Sequence, residues 1–271
     1  MKRRWVQGMF LAGMLVLTGC GAKNSSPVEN GEDYTWNDIT VTLPKDWADR
    51  CTIKEDENGF AIYQTASYEK MEGLGYLCSF EKSDAWMNYG AGEKLIAYTE
   101  DGTLYYLMQP TDVACDTEDQ TIVEEYGSMM EEVTAIASSV KIDADDVHYD
   151  ADQYVVPVGA ILPVTEENLS DLSEQELYLA ANEIYARHGK TFDDAYLQAH
   201  FDACSWYTPA GEATAGDAGL SEIEQANLKL IKAMQTAYEA EHIYPKSYSA
   251  GETAEIALFG SMEFLTKSAT R

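Results

Sequence analysis

Between Tyr34 and about Pro110, apolar and polar residues alternate with a period of two, which predicts β-strands with one buried face. Two turn signals interrupt this alternation. Asn58-Gly59 and Asp101-Gly102 each lie between two strand-like segments, and each predicts a β-hairpin. We therefore expect a mainly antiparallel sheet here. Cys78 falls in phase with the apolar positions, so it is expected to be a buried packing residue.

From about Asp119 to Val140 the apolar period becomes helical. Apolar residues recur every three or four positions from Ile122 to Val140, which predicts one long helix with a wide apolar face. The preceding sheet is the available surface to cover that face. The prediction for residues 34–142 is an α+β domain of no recognised family, in which one long helix packs on an antiparallel sheet.

Residues 143–162 open with an acidic run that includes Asp143, Asp145 and Asp146. An EF-hand loop starting at Asp143 would need Gly at its sixth position and Glu at its twelfth, but those positions hold His148 and Tyr154. The stretch is therefore interpreted as a solvated acidic linker, with no metal site.

Residues 163–241 have helical periodicity, and residues 242–271 are interpreted as a tail. Ser173 and Glu176 form a capping box at the start of one helix, and Gly189 stands where its C-terminal cap is expected. A short helix fits Asp194 to Ala203. A second capping box, Ser221 to Glu224, predicts a further helix.

The segment from Asn182 to Gly189 reads Asn-Glu-Ile-Tyr-Ala-Arg-His-Gly and resembles the signature of the YARHG domain. The chain departs from the usual pattern at Ala181, where the family carries Arg, and at His200, where Tyr is common. The resemblance covers about 75 residues and implies a small all-α module of exported bacterial proteins, with no agreed ligand or catalytic residue. The motif positions that carry it are Asn182, Glu183, Tyr185, Arg187, His188, Gly189, Phe192, Phe201, Trp206, Tyr207 and Asn227.

Two interpretations of these motif residues stay open. They could form a polar and aromatic lock that fixes the arrangement of a small domain. Alternatively, Arg187 and His188 could contact an anionic group while Trp206 or Tyr207 stacks on a sugar or peptide.

The first residues predict export. Lys2, Arg3 and Arg4 precede a short apolar run that ends in Leu17-Thr18-Gly19-Cys20, which resembles the lipobox of bacterial lipoproteins. The resemblance implies a signal peptide at residues 1–19 and a diacylated Cys20 that anchors the protein to the outer face of the bacterial cell membrane. Residues 20–33 contain little apolar character and are interpreted as a flexible tether.

The charge of the chain restricts its partners. The formal net charge is −29, and loss of the three basic residues of the leader makes it −32. Nucleic-acid binding needs clustered Lys and Arg, so we expect no nucleic acid as a partner. The expected partners are the membrane, through the lipid on Cys20, and a cell-wall component or envelope protein.

Four further cysteines, Cys51, Cys78, Cys115 and Cys204, allow three pairings that sequence alone does not distinguish. No cofactor fingerprint or common hydrolase motif is present. The leading hypothesis is a non-catalytic binding or envelope-associated module, and a separate class is a purely structural or chaperone-like envelope component. The alternative is a cell-envelope enzyme, either a wall hydrolase or a Cys-His type in which Cys204 would work with His188 or His200.

Overall fold

The computed structural model describes residues 28, 31–88, 92–210 and 219–241. The predicted signal peptide, Cys20 and the tail at residues 242–271 lie outside the described residues. Within these, the predicted α+β class is confirmed: antiparallel sheets form the N-terminal part and helices form the C-terminal part.

Nine strands form two antiparallel sheets among the described residues. A three-stranded sheet has the order β1-β2-β8, and a six-stranded sheet has the order β3-β4-β5-β7-β6-β9. The strands are β1 (Glu32–Trp36), β2 (Ile39–Leu43), β3 (Cys51–Glu55), β4 (Gly59–Gln64), β5 (Tyr76–Ser83), β6 (Glu93–Thr99), β7 (Leu104–Met108), β8 (Lys141–Ile142) and β9 (Val147–His148).

Both predicted hairpins are confirmed. In the β3–β4 turn the Asp56 carboxylate accepts hydrogen bonds from the backbone N–H groups of Asn58 and Gly59, at 2.7 and 3.0 Å. In the β6–β7 turn Gly102 has a φ of +91°, a left-handed conformation that favours glycine.

The helices are α1 (Thr65–Tyr68), α2 (Gln120–Ala137), α3 (Glu166–Leu169), α4 (Glu174–Arg187), α5 (Ala195–Asp202) and α6 (Glu222–Glu241), and two short 3₁₀ helices lie at Lys45–Trp47 and Ala151–Gln153. Helix α2 is the predicted long helix. Its N-cap Asp119 accepts from Thr121 N, and Met129, Val133 and Ile136 are fully buried against the sheets. None of the described helices combines the length and the apolar character that a membrane span requires.

Strand β7 is buried on both faces, which joins the sheet to the helices. Tyr105 and Leu107 point into the core shared with α2, whereas Leu104 and Tyr106 point into a second core formed with α4 and α6. Tyr106 is fully buried, and its hydroxyl accepts from Met87 N at 2.8 Å. The sheet therefore separates two hydrophobic cores, and β7 contributes to each of them.

The prediction of a solvated linker at residues 143–162 is wrong. Strand β9 pairs with Tyr98 and Thr99 of β6, and Val156 and Val158 are 1% and 0% exposed. These valines fill the space between the sheet and the helices, so burial of the apolar residues outweighs the acidic composition around them. Strand β1 begins at Glu32, so it also takes in the end of the predicted tether.

All four cysteines in the described residues, Cys51, Cys78, Cys115 and Cys204, are free thiols, so none of the three possible pairings is formed. Cys78 is fully buried, as its phase in β5 predicts. Burial raises the pKa of the Cys78 thiol far above its ordinary value, which keeps it protonated at neutral pH.

The shared strand gives a first prediction. Leu104→Ala and Leu107→Ala truncate buried side chains on opposite faces of β7, and each should lower the free energy of unfolding by about 2–5 kcal/mol through loss of packing. Because one strand serves both cores, both variants should shift the same single thermal unfolding transition, measured by circular dichroism. Met71→Ala, at a residue that is 60% exposed, is the control and should change little. Two separate transitions, with each variant shifting only one of them, would contradict the shared core.

Candidate functional site

The motif residues of α4 bind the backbone of the segment that precedes the helical region. Glu183 is 2% exposed, and its carboxylate accepts from Val155 N at 2.6 Å and from Val156 N at 3.3 Å. Its neighbour one helical turn later, Arg187, donates from Nη2 to Glu183 at 3.1 Å and to the carbonyl oxygens of Val156 and Pro157 at 3.0 and 3.1 Å. This largely buried ion pair therefore binds the N–H groups of Val155 and Val156 and the carbonyl oxygens of Val156 and Pro157.

Aromatic contacts hold the same segment from its N-terminal side. The Tyr154 ring stacks on Trp206 with centroids 4.7 Å apart, and the Arg187 guanidinium lies 4.1 Å from the Tyr154 ring centroid. The indole N–H of Trp206 donates to Gln153 O at 3.2 Å. Trp206 is therefore engaged with this segment. Its stacking on a ligand, one of the two interpretations of the motif, is not what the geometry favours.

His188 and Asn227 fix other parts of the helical region. His188 Nε2 lies 2.8 Å from a carboxylate oxygen of Glu224, whose other oxygen accepts from Ser221 N at the start of α6. The Asn227 side chain, 1% exposed, donates to Gly159 O and Leu162 O and accepts from Val164 N. These contacts order the loop ahead of α3 and the junction between α4 and α6.

The remaining motif residues serve packing and turn geometry. Gly189 has a φ of +77°, and a Cβ there would lie 2.7 Å from the Ala210 Cβ, so the position requires glycine. The Tyr207 hydroxyl donates to Lys190 O at 2.8 Å. Phe192 stacks on the fully buried Phe201, Asn182 donates to Tyr178 O within α4, and the hydroxyl of Tyr185 accepts from Lys232. The geometry of the motif residues favours the lock over a direct contact site.

A groove of about 220 Å³ lies beside the segment that the lock holds. Its lining residues come from three segments: residues 86–88 after β5, the start of β6, and the locked segment with the 3₁₀ helix before it. The lining residues are Trp86, Met87, Asn88, Glu93, Lys94, Leu95, Ala151, Asp152, Tyr154, Val155 and Pro157.

The lining residues after β5 are also tied to the helical region. Asn168 of α3, which is 6% exposed, donates from its side chain to Trp86 O at 2.7 Å, and its backbone carbonyl accepts from the Asn88 side chain at 3.0 Å. The groove is therefore built jointly by sheet and helices. Sequence reasoning missed it because its walls meet only in the fold. The one available signal was the apolar run Val155-Val156-Pro157-Val158 inside an acidic stretch.

The Cys-His arrangement considered from the sequence does not have the geometry of an activated thiol. Cys204 Sγ donates to the backbone carbonyl of His200 at 3.5 Å rather than to an imidazole nitrogen. Burial raises the pKa of Cys204 to about 11 and lowers the pKa of His200. At neutral pH the thiol is protonated, so little thiolate is present to act as a nucleophile. Within the described part of the chain, no three His, Cys, Asp or Glu side chains group as metal ligands would.

The comparisons with known proteins identify one part of the chain. The family model of the YARHG domain matches residues 153–236, so the resemblance carried by Asn182 to Gly189 is confirmed. The match begins at Gln153, inside the stretch expected to be a linker, so the locked segment belongs to the YARHG domain. No curated protein and no solved structure matches the chain.

The lock gives a second prediction. Glu183→Gln keeps the shape of the side chain but leaves Arg187 without its buried counter-charge, which should lower the free energy of unfolding by about 3 kcal/mol. Denaturant unfolding measures this. Glu167→Gln, at an exposed position of α3, is the matched control and should lie within about 0.5 kcal/mol of the wild type. Equal effects of the two substitutions on the free energy of unfolding would show that the contacts of Glu183 do not stabilise the fold.

Proposed function

We propose that this protein is a lipid-anchored, extracytoplasmic binding protein without catalytic activity, and that its ligand occupies the groove between the sheet and the YARHG domain. In this proposal the motif residues do not touch the ligand. They hold the groove wall in place, so the structural contacts of the motif residues determine the shape of the ligand site. The expected ligands are cell-wall components or other envelope proteins.

One observation carries the proposal: the buried Glu183–Arg187 pair makes its hydrogen bonds to Val155, Val156 and Pro157, and two of these three residues line the groove. A groove wall whose backbone N–H and C=O groups are both hydrogen-bonded keeps its conformation in the absence of a ligand. Pre-organisation of this kind reduces the entropy lost on binding. Ligand sites are usually concave surfaces that are largely formed before the ligand binds.

The extracytoplasmic location rests on the N-terminal sequence. Lys2, Arg3 and Arg4, the apolar run and Leu17-Thr18-Gly19-Cys20 together support export and lipidation. Two acyl chains on Cys20 would give stable anchoring, since one chain alone holds a protein only marginally. The enzyme alternative has less support, because Cys204 and His200 lack an activating contact.

Lipidation is tested by the mass of the mature protein. We expect the N-terminal peptide to begin at Cys20 and to carry a diacylglyceryl group, and the protein to partition into detergent with the membrane fraction. Cys20→Ser should abolish both, because the thiol is the only acceptor for the lipid in the proposed pathway. An unmodified Met1 in protein recovered from the cytosol would refute the anchored location.

The groove is tested by blocking it. Leu95→Trp places a larger apolar side chain in the groove, whereas Leu230→Trp makes the same change on α6, where the residue is also only partly buried. In a screen of the mature soluble chain against purified wall fragments and envelope extract, the first variant should lose at least about tenfold in affinity and the second should not. Thermal unfolding of both variants controls for loss of structure. Undiminished binding by a folded Leu95→Trp protein would place the ligand elsewhere.

A further inference from the structure

We infer that the outer face of strands β3, β4 and β5 binds a basic segment of another protein, whose Arg or Lys side chains lie against partly exposed tyrosine rings. We call this face the tyrosine surface, and its rings are Tyr63, Tyr68 and Tyr76. None of the three lines the groove, so the inference adds a second interaction site to the proposed function. Three properties carry it: the place of the surface in the sheet, its aromatic cluster and its charge.

The pairing register places the tyrosine surface on the sheet face that the helices cover further along. Met108 of β7 packs against the core formed with α4 and α6, and Ser79 of β5 pairs with it. Ala61 of β4 pairs with Ser79 in turn, and Tyr63 lies two residues after Ala61. Residues that pair directly, or that lie two apart on a strand, share a face. Tyr63 therefore lies on the same face as Met108, together with Tyr76, which pairs with it.

The helices cover only part of this face. The core that contains α4 and α6 includes residues of β6 and β7, but no described residue of β3, β4 or β5 belongs to it. Tyr63, Tyr68 and Tyr76 are each partly exposed. The tyrosine surface is thus continuous with an interface that the sheet already forms with the YARHG domain. Aromatic residues are enriched in protein interfaces, which makes another polypeptide the suitable partner.

The three rings form one cluster on this surface. The Tyr63 ring is central, and its centroid lies 5.1 Å from that of Tyr68 and 5.6 Å from that of Tyr76. One cation already lies on the cluster, since Lys54 Nζ is 5.0 Å from the centroid of the Tyr68 ring. A cation over the face of a tyrosine ring is attracted by the ring quadrupole. The cluster is therefore suited to contact further cationic side chains.

Carboxylates around the cluster favour a basic partner. Asp56, Glu72 and Glu81 lie near Tyr63, and side-chain hydrogen bonds hold Glu72 and Glu81 beside the rings. Burial raises the pKa of the Tyr63 hydroxyl, and the neighbouring Tyr68 and these carboxylates raise it further. None of the three carboxylates forms an ion pair with another residue in the described part of the chain. The whole chain carries −29, which attracts cationic partners at a distance.

The same observations favour a basic protein segment over a wall glycan. A guanidinium can use both parts of the surface, because it stacks on an aromatic ring and pairs with a carboxylate. A neutral sugar would have to stack on rings that their neighbours partly cover, since the Tyr63 ring is tilted by 56° and 57° against the rings on either side of it.

The test uses the mature soluble chain and a synthetic peptide in which Arg and Gly alternate. The control peptide has citrulline in place of each Arg, which keeps the shape of the side chain and removes its charge. We expect the Arg peptide to bind and to shift the NMR signals of the Tyr63, Tyr68 and Tyr76 rings, whereas the citrulline peptide should do neither. Equal binding of the two peptides, or shifts confined to other residues, would overturn the inference.

The role of the rings is tested by substitution at the centre of the cluster. Tyr63→Leu should weaken the Arg peptide about fivefold, whereas Tyr63→Phe keeps the ring and should retain most of the affinity. Tyr149→Leu makes the same change at a tyrosine that is 48% exposed and also has acidic neighbours, and should leave the affinity unchanged. Thermal unfolding monitors each variant, and Tyr68→Leu on α1 takes the place of Tyr63→Leu if that variant unfolds. Wild-type affinity in the folded Leu variant would contradict ring recognition.

Charge recognition is tested with a matched pair of substitutions. Glu72→Gln should weaken the Arg peptide about threefold and reduce the dependence of its affinity on salt. Glu167→Gln changes another exposed glutamate, on α3, and should leave the affinity unchanged. Equal effects of the two variants would mean that the peptide senses only the net charge of the chain, and the assignment to the tyrosine surface would be wrong.

The remaining outcomes identify other occupants. If wall fragments shift the ring signals and the Arg peptide does not, the surface binds glycan and the inference fails. If the ring signals change with protein concentration in the absence of peptide, the surface is a contact between two copies of the chain, and the inference also fails. The groove variant Leu95→Trp should bind the Arg peptide as the wild type does. Loss of binding by this folded variant would place the peptide in the groove and leave only the proposed function.

Discussion

The arrangement of the helical region depends on one buried ion pair. Glu183 and Arg187 lie one turn apart on α4, and their side chains are 2% and 14% exposed. A pair of this kind contributes little net stability, but removal of one partner leaves a buried charge unpaired and is costly. Its main effect is therefore to specify one arrangement. The pair makes hydrogen bonds to the backbone of residues 155–157. It therefore determines where the groove wall lies.

Sequence periodicity predicted the elements well, because each depends on local signals. The hairpins at Asn58-Gly59 and Asp101-Gly102, the long helix after Asp119 and the capping box at Ser173 are all present. The failure at residues 143–162 has a physical cause. Composition reports the average character of a stretch, whereas burial is decided residue by residue, and Val156 and Val158 are inserted between two layers. Tertiary contacts therefore overrode the acidic neighbours.

The site was less accessible to sequence reasoning than the fold. The sequence identified Glu183, Arg187 and Trp206 as a group, but whether they lock the domain or contact a ligand depends on where their polar atoms point. The structure directs them to the backbone of residues 153–157. The groove also draws on Trp86 and Glu93, which lie about 60 residues before that segment, and no local pattern connects positions so far apart.

The two-sided burial of β7 has a consequence for modular exchange of this domain. Leu104 and Tyr106 cover part of the surface that the YARHG helices would otherwise present to water. A copy of the YARHG domain transplanted into another protein would need a substitute for that apolar partner. The N-terminal sheet left behind would in turn expose the same two side chains. In this chain the boundary between the modules is thus a shared hydrophobic core rather than a linker. Recombination at that boundary would destabilise both the transplanted YARHG domain and the N-terminal sheet left behind.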